Sequence, residues 1–393
     1  MTDDEAYAAG YIDAAARREY WRAAIGMFLV SFTTAHQTLL SIVFARNGHD
    51  LHTIGVLLSS IAVPIVFFAL MSSEFSARLG VLPTMRLAMF LSLAGFASLY
   101  FTSATFFGAL ASRFVSGAGG GLFLAAALTY GQSRLSPKRF LFLLSVFSAM
   151  MPLAQAVAPA FGEYTLNAYG AHGMFLIGSI PAVVGMALSL GLRPLAKPPQ
   201  SRGLDLLASW RPRFVEPLLS MIVAGTLYGF TTAYLAPALE ARSIPLGAFF
   251  TASTLTMFAS RAFGFRRIEE ANKRYLVGFG LALEAAGLVA VSFAGAHVWP
   301  VSAGGIIFGL GHSLLYPVLA AWMVQGVDAT RRSGPQAWLN ACFNIGLYAT
   351  PLPETFIVAR VGYDWTMVVL AAAAAIAAAT LVLRGALSGA PTA

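Results

Sequence analysis

Phe32-Thr33-Thr34-Ala35 lies in the first long apolar stretch of this 393-residue chain. The same four residues return as Phe230-Thr231-Thr232-Ala233, about half a chain length later. A second echo follows further along each half, Gly117-Ala118-Gly119 against Gly309-Leu310-Gly311, at a similar shift. Phe, Thr, Ala and Gly are common in membrane helices, so either echo alone carries little. Two at one shift point to duplication of a membrane bundle, an arrangement that commonly holds a substrate site near its midplane.

Composition supports a membrane chain. Hydrophobic residues make up 58% and charged residues 11%, against roughly a quarter charged in soluble domains. Runs of about 20 apolar residues recur, each long enough to cross roughly 30 Å of hydrocarbon. The runs predict about twelve spans, at approximately 20–44, 53–76, 83–103, 105–131, 139–162, 172–192, 216–239, 244–265, 275–296, 299–325, 336–358 and 363–384. Each span must satisfy its own backbone in lipid, so helix is the expected structure. The short alternating segments of a β-barrel are absent.

The net charge of +8 invites a nucleic-acid reading, but its placement argues otherwise. About 20 of the 25 Lys and Arg fall in the N-terminus, the even-to-odd loops or the C-terminus, the positive-inside pattern of a multi-pass protein. Both termini are therefore expected in the cytoplasm. The opposite side keeps Arg46, Arg242 and Arg360, while Arg113 and Arg261 remain inside spans. The only cysteine, Cys342, excludes a disulfide framework within the chain.

The predicted organisation is a polar N-terminal tail over 1–19, a six-helix bundle over 20–193 and a cytoplasmic linker over 194–215. A second bundle over 216–384 and a tail over 385–393 complete it. The N-terminal tail is expected to be a short helix or mobile. Leu204, Leu206, Leu207 and Trp210 suit a short interfacial helix in the linker. With acids at Asp3, Asp4, Glu5 and Asp13, the N-terminus does not read as a cleavable signal peptide.

Span count, duplication and orientation resemble the major facilitator superfamily. Arg113-Phe114-Val115-Ser116-Gly117-Ala118-Gly119 is similar to its arginine-to-glycine motif in the fourth helix. Phe75-Ser76-Ala77-Arg78-Leu79-Gly80 resembles its cytoplasmic loop signature, with Ala77 where an acid is usual. Ala158-Pro159-Ala160-Phe161-Gly162-Glu163 resembles a degraded form of its proton-antiporter motif. The stretch Gly309 to Pro317, with Arg331-Arg332-Ser333-Gly334, looks like the sugar and drug efflux branch. The resemblance implies an all-α fold of two pseudo-symmetric six-helix bundles. It implies that helices 1, 4, 7 and 10 line a cavity, with 3, 6, 9 and 12 outermost, and that Arg113 serves proton transfer or conformational coupling.

Polar residues inside spans are the candidate site. Thr33, Gln37 and Ser41 repeat every four residues and share a helical face. His36 is ionisable at mid-depth, and such groups usually face a wet cavity or a partner; a buried neutral His bonded to a carbonyl is the alternative. Tyr234 is its counterpart in the echo. Arg113 keeps its proton, and a charge at the bilayer centre costs about 2.5–3.5 kcal/mol even on the lenient scale. It must meet a carboxylate, carbonyls, water or an anionic substrate; a structural tie between helices is the rival role. His312 and Tyr316 are an i,i+4 pair. Asn340, Asn344 and Tyr348 form a stripe that faces either substrate or a neighbouring helix.

The substrate-binding or cavity set is thus His36, Gln37, Arg113, Tyr234, His312, Tyr316, Asn340 and Asn344. The proton-coupling set is Arg113, His36, His312, Glu163 and Glu354, with histidine standing in for a central carboxylate because it titrates near neutral pH. Glu284 in span 9 is placed outside the cavity by the resemblance. Basic groups outnumber central acids, which suits a small anionic or zwitterionic organic solute.

The expected function is secondary transport by alternating access, as proton-coupled efflux. A proton-driven importer of the same solute class is the close alternative, and a non-transporting receptor or scaffold is the alternative from another class. No metal-ligand signature, phosphate loop or nucleophilic triad points to an enzyme, and no cofactor or metal is expected. The expected partners are the solute, protons and lipid, not nucleic acid. The expected setting is a bacterial inner membrane, as a monomer.

Overall fold

In the computed structural model, residues 2–195, 210–263, 272–325, 327 and 333–388 are described. The proposed interfacial helix of the linker lies, apart from Trp210, outside them, as do Arg331 and Arg332. Among the described residues, nine continuous helical stretches are long and apolar enough to cross a membrane. Two are too long for one pass. Val146–Leu190 has 45 residues and Gly334–Ala386 has 53. At about 1.5 Å per residue, each exceeds twice the hydrocarbon thickness. The backbone leaves helical geometry at Gly170 (φ 70°, ψ −175°) and at Gly362 (φ 78°, ψ 174°), a conformation that only glycine adopts readily. Each stretch is therefore two spans. With Gly247–Phe263, the count becomes twelve.

In chain order, span 1 is Ala14–Arg46, span 2 Leu51–Leu79, span 3 Val81–Thr102 and span 4 Phe106–Gln132. Spans 5 and 6 are the two arms of Phe140–Leu190. Span 7 is Pro212–Glu240, span 8 Gly247–Phe263, span 9 Lys273–Ser292 and span 10 Val298–Val324. Span 11 starts at Ser333 and runs to the Gly362 break; span 12 runs from there to Ser388.

The chain divides into two compact units. One comprises Met1–Leu39 and Val63–Leu204, the other Leu40–Ala62 and Asp205–Ala393. The division cuts spans 1 and 2 rather than falling only in the linker. Both spans are interrupted at the cut. Span 1 changes to a 3₁₀ turn over His36–Leu39 before helix resumes at Leu40. Span 2 breaks between Ser59 and Ala62, where Pro64 withholds the N–H that would bond the Ser60 carbonyl.

In the first unit, span 4 threads between spans 2 and 3 on its glycines. A side chain at Gly119 would strike Ser92 and the Ala88 carbonyl on span 3; one at Gly121 would strike Ala69 N of span 2 at 2.8 Å. The N-terminal tail is docked rather than loose. Thr2 and Glu5 cap the helix Asp3–Ala8 reciprocally. Ser136 N then donates to Gly10 O at 2.9 Å, and Ile12 N to Arg134 O at 3.2 Å. Ala6 and Tyr11 are buried there. Beneath the tail, Glu19 is buried and pairs with Arg193 at 2.5 Å and Arg134 at 3.0 Å.

Side-chain hydroxyls patch the proline kinks, as lipid-embedded backbone requires. Pro353 has no N–H for the Ala349 carbonyl, and Ser59 donates to that oxygen at 3.3 Å while accepting from Leu352 N at 2.8 Å. At the Pro181 kink, Thr33 donates to Gly178 O at 2.7 Å and accepts from Ala182 N at 3.1 Å. Ser59 does this within the second unit and Thr33 within the first.

Candidate functional site

The 3₁₀ turn in span 1 decides which polar groups meet. A 3₁₀ segment advances about three residues per turn instead of 3.6, so the four-residue stripe Thr33–Gln37–Ser41 does not stay on one face. Thr33 is consumed at the Pro181 kink, and Ser41 is buried without a hydrogen-bond partner for its hydroxyl. Gln37 alone turns to span 4. Its carbonyl oxygen accepts from Arg113, and its amide nitrogen donates to Ser116 Oγ at 2.8 Å. Arg113 is 4% exposed and Gln37 half-buried. One amide thus meets a buried cation and ties the arginine-to-glycine segment to span 1.

His36 is placed otherwise than the open-cavity expectation. It is fully buried, its Nδ1 lies 2.8 Å from Phe32 O, and its ring packs against Phe32, Phe96 and Phe161. Nε2 has no hydrogen-bond partner. This is the carbonyl-bonded histidine, made possible by Gly162 and Gly178, whose missing side chains leave room for the ring. Glu163 is half-buried near the end of span 5.

In the second unit, Tyr234 is also fully buried. Its hydroxyl donates to Pro351 O at 2.8 Å and meets Thr355 Oγ1 at 2.6 Å, so it braces the start of the proline-rich turn in span 11. Glu354 is 2% exposed. Neither carboxyl oxygen makes a hydrogen bond of proper geometry; Thr350, one turn earlier, gives its hydroxyl to Gly346 O at 2.5 Å.

The predicted pair and stripe of spans 10 and 11 do meet. Tyr316 donates to Asn340 Oδ1 at 2.7 Å, and Asn344 Nδ2 donates to Asn340 O at 2.9 Å. All three are half-buried. His312 is buried, with Nδ1 2.6 Å from Glu284 Oε1 on span 9. The family resemblance places Glu284 of span 9 outside the cavity, yet it meets a candidate residue. The signal that would have found it is the row of small residues Gly280, Gly287, Gly304 and Gly311, which announces close contact of spans 9 and 10. Among the described residues, no cluster of three or more His, Cys, Asp and Glu could hold a metal ion. Asp50, between His49 and His52, caps span 2 by accepting from Thr53 N at 3.3 Å.

Among the described residues, twelve apolar helices, with a buried arginine in the fourth, define a multi-pass membrane protein. The sequence pattern of the Major Facilitator Superfamily matches residues 23–267, more than half of the chain, and the chain belongs to that superfamily. No curated protein sequence matches it. Among solved structures, a POT family transporter in complex with 5-aminolevulinic acid is similar. The TM-score is 0.78 and the identity 13%, with 95% of this chain and 97% of that one covered. The nucleoside transporter NupG gives 0.79 and 12%, over 93% and 98%. The POT family transporter PepTSo gives 0.75 and 10%, over 94% and 98%. At such identities the likeness is one of fold.

Proposed function

We propose that this chain carries a small anionic or zwitterionic organic solute across the membrane by alternating access, coupled to protons. The observation behind this reading is Arg113, a permanently charged guanidinium buried in the fourth span. A fixed cation in a membrane helix favours a solute that brings negative charge. Gln37 and Arg113 in the first unit, and Tyr316, Asn340 and Asn344 in the second, are the proposed solute contacts. His36 and Tyr234, both spent on packing, stand beside the site as braces.

His312, Glu163 and Glu354 are the proposed proton carriers, with Arg113 coupling their charge to solute binding. Glu354 fits the part because it is an ionisable carboxyl buried within a span, and such groups commonly serve proton relays. Efflux in exchange for protons is the direction that the motif resemblance favours. The charge asymmetry of the loops supports cytoplasmic termini in a bacterial inner membrane, and the protein is read as a monomer.

The test is flux in proteoliposomes under an imposed pH gradient. Its panel holds organic acids, 5-aminolevulinic acid, dipeptides, nucleosides and sugars. Outward movement of an acid or zwitterion against inward protons is expected, with loss in Arg113→Ala. Accumulation in the opposite sense makes the chain an importer. Flux of cations alone, unaffected by Arg113→Ala, ends the proposal.

A further inference from the structure

Between Leu276 and Val291, span 9 is apolar except for one acid, Glu284, which no solute contact uses. It is fully buried. One carboxyl oxygen sits 2.6 Å from His312 Nδ1, and the other has no hydrogen-bond partner. Glycines bring the two spans this close. A side chain at Gly311 would strike the Gly280 carbonyl and lie 2.8 Å from Glu284 N; one at Gly287 would lie 2.7 Å from Phe308 N. The small residues therefore set the backbone separation that lets a glutamate reach the neighbouring histidine.

The ring is fixed from its faces as well. Tyr228 of span 7 stacks on it, with centroids 4.7 Å apart and planes at 21°. Phe308 lies nearly parallel at 6.0 Å and 11°, and Phe343 of span 11 closes in at 6.1 Å. A tyrosine face attracts an imidazolium, and a hydrogen bond from one ring nitrogen decides which nitrogen remains free. An isolated charge of either sign is costly at this depth; joined, carboxylate and imidazolium cancel.

We propose that Glu284 and His312 form one proton-holding pair that serves the transport cycle, with Glu284 the positioning residue that fixes the ring and its tautomer. The proposal rests on the reading of the chain as a proton-coupled carrier. In the proton-poor state, neutral His312 gives its Nδ1–H to the Glu284 carboxylate, and the pair carries one negative charge. A proton from water then binds the Nε2 lone pair, leaving an imidazolium–carboxylate pair of zero charge. Its release on the other side restores the first state, with no other bond made or broken. Among the described residues, Tyr228 is a titratable group packed against the ring. Span 8 presents Ser253 to span 10 at Gly309, span 11 presents Phe343, and span 12 is an apolar alanine run over 371–375.

The experiment is nitrogen-15 NMR of the full chain, labelled at its six histidines, in lipid nanodiscs titrated with acid. His312→Gln identifies the ring signals. A deshielded Nδ1 proton is expected for His312. In Glu284→Gln the side-chain oxygen still accepts that hydrogen bond, but the ring's response to pH is expected to change, and Glu284→Asp to restore it. A response unaltered by Glu284→Gln, or a His312 ring without a hydrogen-bonded Nδ1 proton, overturns the proposal. Gradient-driven flux in proteoliposomes separates the two levels of the account. Flux that follows the gradient in wild type and collapses in Glu284→Gln supports the pair. Flux that follows it equally in both sinks the pair alone. Flux in wild type that ignores the gradient sinks the proton-coupled reading as well.

Discussion

Gln37 accepts the Arg113 guanidinium on its carbonyl oxygen while its amide nitrogen donates to Ser116. Replacing it by leucine removes both functions at once. Leaving buried charged donors short of an acceptor costs about 1–3 kcal/mol. Gln37→Leu should therefore unfold at lower temperature than wild type, and Ser116→Ala, which strands only a neutral amide, should lose less. Thermal unfolding of the purified chain reads both; equal midpoints would show that Arg113 does not depend on this amide.

Glu19 holds two arginines near the start of span 1, and its own carboxylate is only 5% exposed. Breaking a buried pair by removing one partner costs about 3–5 kcal/mol. Arg193 is half exposed and Arg134 Nε meets the carboxylate without hydrogen-bond geometry, so the loss is expected at the low end of that range. Glu19→Gln is expected to destabilise far more than Glu74→Gln, which disturbs the exposed Arg78 pair worth about 0–1 kcal/mol. Similar melting shifts for the two variants would contradict the buried network.

Asp13 caps span 1 from outside the membrane. The Ala16 amide, and after it the Arg193 guanidinium, hold its carboxyl below the usual 3.8 against the opposing pull of burial. A depressed folded value means that the stabilisation is fully present above the unfolded value and fades as pH falls through the folded one. The stability gap between wild type and Asp13→Ala should thus be constant near neutrality and shrink below pH 3.8. Melting curves over an acid series check this, and a gap that widens in acid would reverse the sign.

The two kink-patching hydroxyls make a graded pair. Thr33 is fully buried and Ser59 half-buried, and each serves one backbone donor and one acceptor. Thr33→Val should cost about 1–3 kcal/mol, and Ser59→Ala less because that hydroxyl is only half-buried. Hydrogen exchange at Ala182 and Leu352, whose amides these hydroxyls accept, should quicken in the matching variant only. Unchanged exchange at both amides would assign the kinks to another cause.

The fold was legible because lipid imposes it: apolar length and basic loops each follow from the solvent of the bilayer. Arg113, with Tyr316 and Asn340, was legible for the same reason, since polar residues in such spans are few and must meet. Three features were hidden. The 3₁₀ turn at His36–Leu39 broke the stripe that a uniform helix predicts, because spacing alone carries no record of a change in helix type. The division of spans 1 and 2 between the units depends on contacts far apart in sequence. The Glu284–His312 contact was hidden because the family scheme sorts whole helices, while the glycines of spans 9 and 10 place a single residue. The docked tail was half visible, since Thr2 and Glu5 spell a capping box but nothing in their spacing names the surface they meet.

The central claim is that Arg113 gives this carrier its solute class. Thermal-shift titration of purified wild type and Arg113→Ala against acids, zwitterions, neutral sugars and cations tests it most directly, since a ligand that binds the native state raises its melting point. The account predicts stabilisation of wild type by at least one acid or zwitterion and its loss in Arg113→Ala. Stabilisation by cations or sugars alone, equal in both proteins, would contradict it.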